Sequence, residues 1–130
     1  MPTYRVLLVD DQSLFRDISR GMFEAAGGFE VAGEVEDGAQ AVDACRLWSP
    51  DIILMDVEMP HMNGFEATRR ITQACPGTSV VIASMRPQPE YHAAAAEAGA
   101  LMFMSKRDLD PVAIRAALDG RGTAALSRAA

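Results

Sequence analysis

The chain has 130 residues, with 12 Lys+Arg against 18 Asp+Glu and a formal net charge of −6. That length suits one domain of about 100–150 residues, long enough to bury a core without disulfides or a structural metal. Hydrophobic residues make up 49% and charged residues 23%, as in an ordinary globular protein, and the acidic balance disfavours a nucleic-acid-binding module, whose footprint is a basic surplus.

Residues 6–9 form an unbroken apolar run that ends in Asp10 and Asp11. Such a run suits a strand buried on both faces of a parallel sheet. A helix follows, with Ser13 as its cap and Phe15, Ile18, Met22 and Ala26 as its inner face, stopped by Gly27 and Gly28. Residues 29–35 differ: Phe29, Val31 and Val35 alternate with Glu30 and Glu34, which predicts an edge strand with one polar face. Asp37 opens a second helix through Val42, Cys45 and Trp48, closed by Pro50.

A second apolar run, residues 52–55, ends in Asp56. Asn63 opens a third helix through Phe65, Thr68, Ile71 and Cys75, and Pro76 and Gly77 close it. The run 80–83 ends in Ser84. A fourth helix spans 90–98, behind Pro87 and Pro89 and ahead of Gly99. The run 101–104 leads to Ser105 and Lys106. A fifth helix opens at Asp108 or Asp110, with Pro111 in its first turn, and is expected to end at Gly120 and Gly122. Strands alternating with helices in this way make an α/β domain with a parallel sheet.

No apolar run approaches the length needed to span a bilayer, no secretory leader precedes Asp10, and two cysteines are too few for a disulfide framework. Cys45 and Cys75 read as reduced core thiols in helical segments, and a cytoplasmic location is the default.

In a parallel sheet the residues that follow each strand gather along one edge, where open α/β sheets bind ligands. Here those residues are Asp10, Asp11, Asp56, Ser84 and Lys106. Bunched carboxylates repel, so a hard divalent cation such as Mg2+ is expected among them. No Cys or His stands at these five positions, which argues against zinc. His61 reads as an exposed loop residue and His92 as helix surface.

This constellation resembles the receiver domain of two-component response regulators. The resemblance runs from Arg5 to about Gly120 and rests on Val9-Asp10-Asp11, Leu54-Met55-Asp56 with Met59-Pro60 and Asn63-Gly64, Ser84, and Phe103 with Lys106. The stretch from Asp11 to Arg16 and the pair Ser84-Met85 look like the NarL/FixJ (LuxR-type) subfamily. The resemblance implies a flavodoxin-like (CheY-like), doubly wound, five-stranded parallel sheet of order 2-1-3-4-5 with five helices. It implies a receiver over 1–120 and a tail, or the start of an interdomain linker, over 121–130.

The resemblance also implies roles. Asp56 becomes the nucleophile that takes a phosphoryl group from a sensor histidine kinase. Mg2+ is held by Asp10, Asp11, Asp56 and the Glu58 backbone carbonyl. Lys106 contacts a phosphoryl oxygen. Ser84 turns its hydroxyl to the phosphoryl group, and Phe103 follows as an aromatic switch. Glu58 and Arg86, two residues after Asp56 and Ser84, are expected to meet across the mouth and tune phosphoryl loss. Arg107 stands after Lys106 where many receivers have proline, which puts a cis peptide there in doubt.

Such a module is a signalling switch and not a turnover enzyme. It acts on a partner or on a DNA-binding output outside this chain, with homodimerisation on phosphorylation possible and no membrane partner. A stand-alone receiver working through protein–protein contacts is the alternative. An aspartyl-phosphate phosphohydrolase is a weaker one, suggested by Asp56-Val57-Glu58.

Overall fold

A computed structural model describes residues 3–129, with side chains over 3–121. The elements run β1 (Tyr4–Val9), α1 (Ser13–Ala26), β2 (Phe29–Val35), α2 (Gly38–Trp48), β3 (Ile52–Asp56), α3 (Gly64–Ala74), β4 (Ser79–Ser84), α4 (Pro89–Ala98), β5 (Met102–Ser105) and α5 (Pro111–Ala129), with a 3-10 turn over Lys106–Asp108. All five strands are parallel, in the order β2-β1-β3-β4-β5.

The central strands are buried on both faces, and their alternation divides the core in two. Leu7, Val9, Ile53, Met55, Val80 and Ile82 face α2, α3 and α4, against Ala41, Ala44, Cys45, Ala67, Ile71 and Ala95. Val6, Leu8, Ile52, Leu54, Val81 and Ala83 face α1 and α5, against Phe23, Ile114 and Leu118. One helical layer on each side explains why these strands read as continuous apolar runs.

β2 lies at an edge, as its alternation predicts, and six of its seven residues are only partly buried or exposed. β5 also lies at an edge, and its four residues are half-buried. The run 101–104 is therefore as apolar as a central strand without being one.

The starts of α2 and α3 follow their caps. The Asp37 carboxylate accepts the Gln40 N–H at 2.8 Å, and the Asn63 side-chain oxygen accepts that of Glu66 at 3.0 Å. α1 departs from expectation. Ser13 is its first helical residue, Gln12 is the N-cap and makes no side-chain cap bond, and the Gln12 N–H goes to the Asp10 carboxylate. Its inner face is also rotated. Ser19 and Phe23 are fully buried, whereas Ile18 is half-exposed and Ala26 exposed. Ser19 can sit inside because its hydroxyl donates to the Phe15 and Arg16 carbonyls.

At the fifth helix, Asp110 and not Asp108 is the capping acid, accepting the Val112 N–H at 3.0 Å. α5 does not stop at Gly120 but continues within Pro111–Ala129. A glycine lowers helix propensity by only ~1 kcal/mol and does not by itself end a helix. The tail expected over 121–130 lies, after Arg121, outside the residues whose side chains are described. Cys45 is buried in α2 and Cys75 half-buried at the C-cap of α3; both are free thiols. No described helix is long and apolar enough to cross a membrane.

Candidate functional site

Four strand ends deliver the side chains. β1 ends at Val9, so Asp10 and Asp11 emerge together, Asp10 buried and Asp11 exposed. β3 carries Asp56 as its last residue, β4 carries Ser84, and β5 runs directly into Lys106. All five expected residues come to one edge. Asp11, Asp56, Glu58, Ser84, Arg86 and Lys106 line a single open cleft of ≈ 570 Å³, together with Gln12 and Met85.

Lys106 organises the floor. Its Nζ donates to Asp10 Oδ2 at 2.6 Å and lies 3.2 Å from Asp56 Oδ1, with 4% of the side chain exposed. Asp10 is fixed from the other side by the Gln12 N–H, which donates to Oδ1 at 2.9 Å. Burial, and then the negative charge of Asp10, push the Asp56 carboxyl up to about 6, although Lys106 pulls in the other direction.

One ammonium cannot neutralise three carboxylates. Oxygen atoms of Asp10, Asp11 and Asp56 lie within 4.8 Å of one another, close enough to share one ion. An all-oxygen, net-negative cluster at a cleft fits a hard divalent cation such as Mg2+.

The backbone of Asp56 is held as tightly as its side chain. Gly64 opens α3 against it: a Cβ there would come within 2.1 Å of the Asp56 carbonyl oxygen, and the Gly64 N–H donates to the Val57 carbonyl at 2.8 Å. Only glycine permits that approach.

Ser84 is buried, and its hydroxyl oxygen accepts the Arg86 N–H at 3.2 Å. Phe103 is half-buried on β5, edge-on to His92 at 4.8 Å and to Tyr91 at 6.0 Å. His92 is exposed as expected, yet it packs on the proposed switch residue. His61 is exposed in the loop after β3. Glu58 and Arg86 share the cleft mouth, and no ion pair joins them among the described residues. No described peptide bond is cis, and Lys106 opens a turn in which the Ser105 hydroxyl accepts the Arg107 N–H at 3.2 Å.

A family model described as the response regulator receiver domain matches residues 6–119. The chain belongs to this receiver family. Among curated relatives, the transcriptional regulatory protein YxjL of Bacillus subtilis is 39% identical over 119 residues, covering 89% of this chain and 55% of that protein. The chemotaxis protein CheY of Thermotoga maritima is 37% identical over 102 residues, covering 78% and 84%. Among solved structures, the signal receiver domain of the response regulator NarL from Mycobacterium tuberculosis superposes with a TM-score of 0.85 at 28% identity, covering 92% of this chain and 99% of that one. The likeness to the NarL/LuxR type therefore holds in sequence and structure. This receiver spans about half the length of the transcriptional regulators it matches.

Two residues at the receiver's site are poorly signalled by sequence. Phe15 places its ring 4.3 Å from Lys106 Nζ. Arg16 donates from Nη1 to the Asp10 carbonyl at 2.6 Å and from Nε to Glu34 at 3.0 Å. Neither ends a strand, and helical spacing reads Phe15 as core. The subfamily-like stretch from Asp11 to Arg16 was the only signal for them.

Proposed function

We propose that this receiver accepts a phosphoryl group on Asp56 from a sensor histidine kinase and passes the signal on by a change of shape. The observation that carries the reading is Asp56 itself. Its carboxylate lies at the base of an open cleft, between an acidic pair that can hold a cation and a buried ammonium.

In the transfer, an Asp56 carboxylate oxygen bonds to phosphorus as the bond from phosphorus to the kinase imidazole breaks, and the leaving nitrogen retains the electron pair. A carboxylate is an established nucleophile in phosphoryl chemistry. Asp10, Asp11, Asp56 and the Glu58 carbonyl would hold Mg2+, which supplies charge compensation for the transferring group. Lys106 turns from carboxylate to phosphoryl oxygen as a compact charge. Ser84 exchanges the Arg86 N–H for the phosphoryl group, and Phe103, edge-on to His92, repacks behind it. A phosphoryl group brings about 1.5–2 negative charges, enough to bias such a pair of states. Glu58 and Arg86, exposed at the mouth, set the access of water to the phosphoryl group.

The receiver occupies 1–120, with 121–130 leading towards an output, and acts stoichiometrically as a cytoplasmic switch. We assign it to a NarL/FixJ-type transcription regulator whose DNA-binding portion is not in this chain, with homodimerisation on phosphorylation as the link. The extensive match to a chemotaxis receiver supports a second reading, a stand-alone receiver working through protein contacts.

Intact-protein mass spectrometry after acetyl phosphate and Mg2+ tests the core of this. Wild type should gain one phosphoryl increment and Asp56→Asn none. An increment that survives the substitution overturns the assignment, and repeated release of phosphate over many turnovers favours a hydrolase.

A further inference from the structure

Lys106 is the only lysine in the sequence, and it is buried at the site. An ammonium has three N–H bonds to place. One goes to Asp10 Oδ2 at 2.6 Å, and a second faces Asp56 Oδ1 at 3.2 Å. The remaining direction meets an aromatic face: the centre of the Phe15 ring lies 4.3 Å from Nζ.

The ring is held there by more than its own packing. Phe15 is half-buried in the first turn of α1, and Arg16 beside it is tied to the Asp10 carbonyl and to Glu34. The Gln12 N–H is tied to the Asp10 carboxylate. The turn that carries the ring is thus anchored to the same aspartate that Lys106 grips.

A lysine head group on a four-carbon stem is mobile unless its surroundings restrain it. A π face attracts the cation without the strong, directional bond that a carbonyl or a water would make. It also keeps water from that side. We propose that Phe15 is a positioning residue for phosphoryl transfer, its ring face holding the Lys106 ammonium against Asp56 while leaving it free to turn to a phosphoryl oxygen. The inference rests on Asp56 being the phosphoacceptor. A residue that merely fills the core would serve as well with any side chain of similar bulk.

The test separates ring electronics from bulk. Phe15→Leu removes the ring, Phe15→Tyr keeps it, and 3,4,5-trifluorophenylalanine at position 15 keeps the shape while cancelling the negative face. Two readouts are taken on each protein: the rate of Asp56 phosphorylation by acetyl phosphate with Mg2+, and the lysine-ammonium resonance in nitrogen-15 NMR without phosphate donor or metal. The single lysine makes that resonance unambiguous.

In wild type it should be sharp and shifted upfield by the ring current. Leucine should abolish the shift, and both leucine and the trifluoro ring should slow phosphorylation by about 3–30-fold, the range expected for losing a desolvated cation–π contact. Tyrosine should stay within about twofold of wild type, by the same contact. Equal rates in wild type, leucine and trifluoro proteins, or an ammonium resonance indifferent to the ring, overturn the inference while leaving Asp56 as acceptor. No phosphoryl increment on wild type overturns the underlying reading and this inference with it.

Discussion

Asp56 ends β3 among buried neighbours, with Asp10 beside it and Lys106 3.2 Å away. Its carboxyl is lifted from 3.8 to about 6, first by burial and then by the charge of Asp10. A folded-state pKa above the unfolded one means the fold favours the protonated acid. That stabilisation is complete below about pH 4 and is lost as pH rises through about 6. At pH 7.5 the ionised group is therefore a burden on the metal-free fold. Asp56→Asn should raise stability there by roughly 1 kcal/mol, allowing for solvent in the cleft, or about 2–8 °C in Tm. Thermal melts should show the gain fading by pH 4, and Mg2+ should stabilise wild type more than the variant. A gain that persists unchanged at pH 4 refutes the electrostatic origin. At this scale the sequence was most legible where the chemistry is unusual. Carboxylates ending apolar runs cannot be there for packing. The role of Phe15 is not legible there because its contact is across the fold, to a residue 91 positions away (106 − 15), and no local pattern records that.

The first turn of α1 is secured to the edge strand by a charged cluster. Glu34 on β2 accepts from Arg16 at 3.0 Å and from Arg20 at 2.6 Å. The Arg20 hydrogen bond in particular holds the Glu34 carboxyl below its ordinary value. A depressed folded-state value gives stability that is present above the unfolded pKa, about 4.3, and lost as pH falls through the folded one. Glu34→Gln should destabilise by about 0.5–1 kcal/mol at pH 7 and low salt. Urea titrations should find that difference shrinking as the pH falls below about 4 and reduced in high salt; a cost independent of both would mean the pair acts through packing alone. Elements themselves were legible because strands and helices have different periods. The rotated inner face of α1 was not, because Ser19 satisfies its hydroxyl within the helix and so counts as small and buried, not polar. The half-exposure of β5 was hidden too, since an apolar run does not say whether a neighbour lies on both sides.

The whole domain is one sheet between two apolar layers. Ile71 anchors the α2–α4 side and Ile114 the α1–α5 side, and both are fully buried. Each Ile→Ala substitution should cost about 2–5 kcal/mol, and the double variant should lose the sum within about 0.5 kcal/mol, because the sheet separates the two cavities. Denaturant curves followed by circular dichroism and by fluorescence of the single tryptophan, Trp48, should coincide. Separate transitions would mean that the layers unfold independently. Architecture was readable at this scale because alternation of strand and helix permits few parallel arrangements. The strand order was not contained in the residues alone and came with the family resemblance.

The solitary lysine has a practical side. Reagents that seek side-chain amines usually find many on a protein surface; here they find one, 4% exposed and engaged by two carboxylates. Its acylation becomes a clock for how often the site opens, read as the mass step that maps to Lys106 and kept apart from that of the chain's α-amine. Ligands that seal the cleft should lengthen that clock without any dye, tag or engineered cysteine.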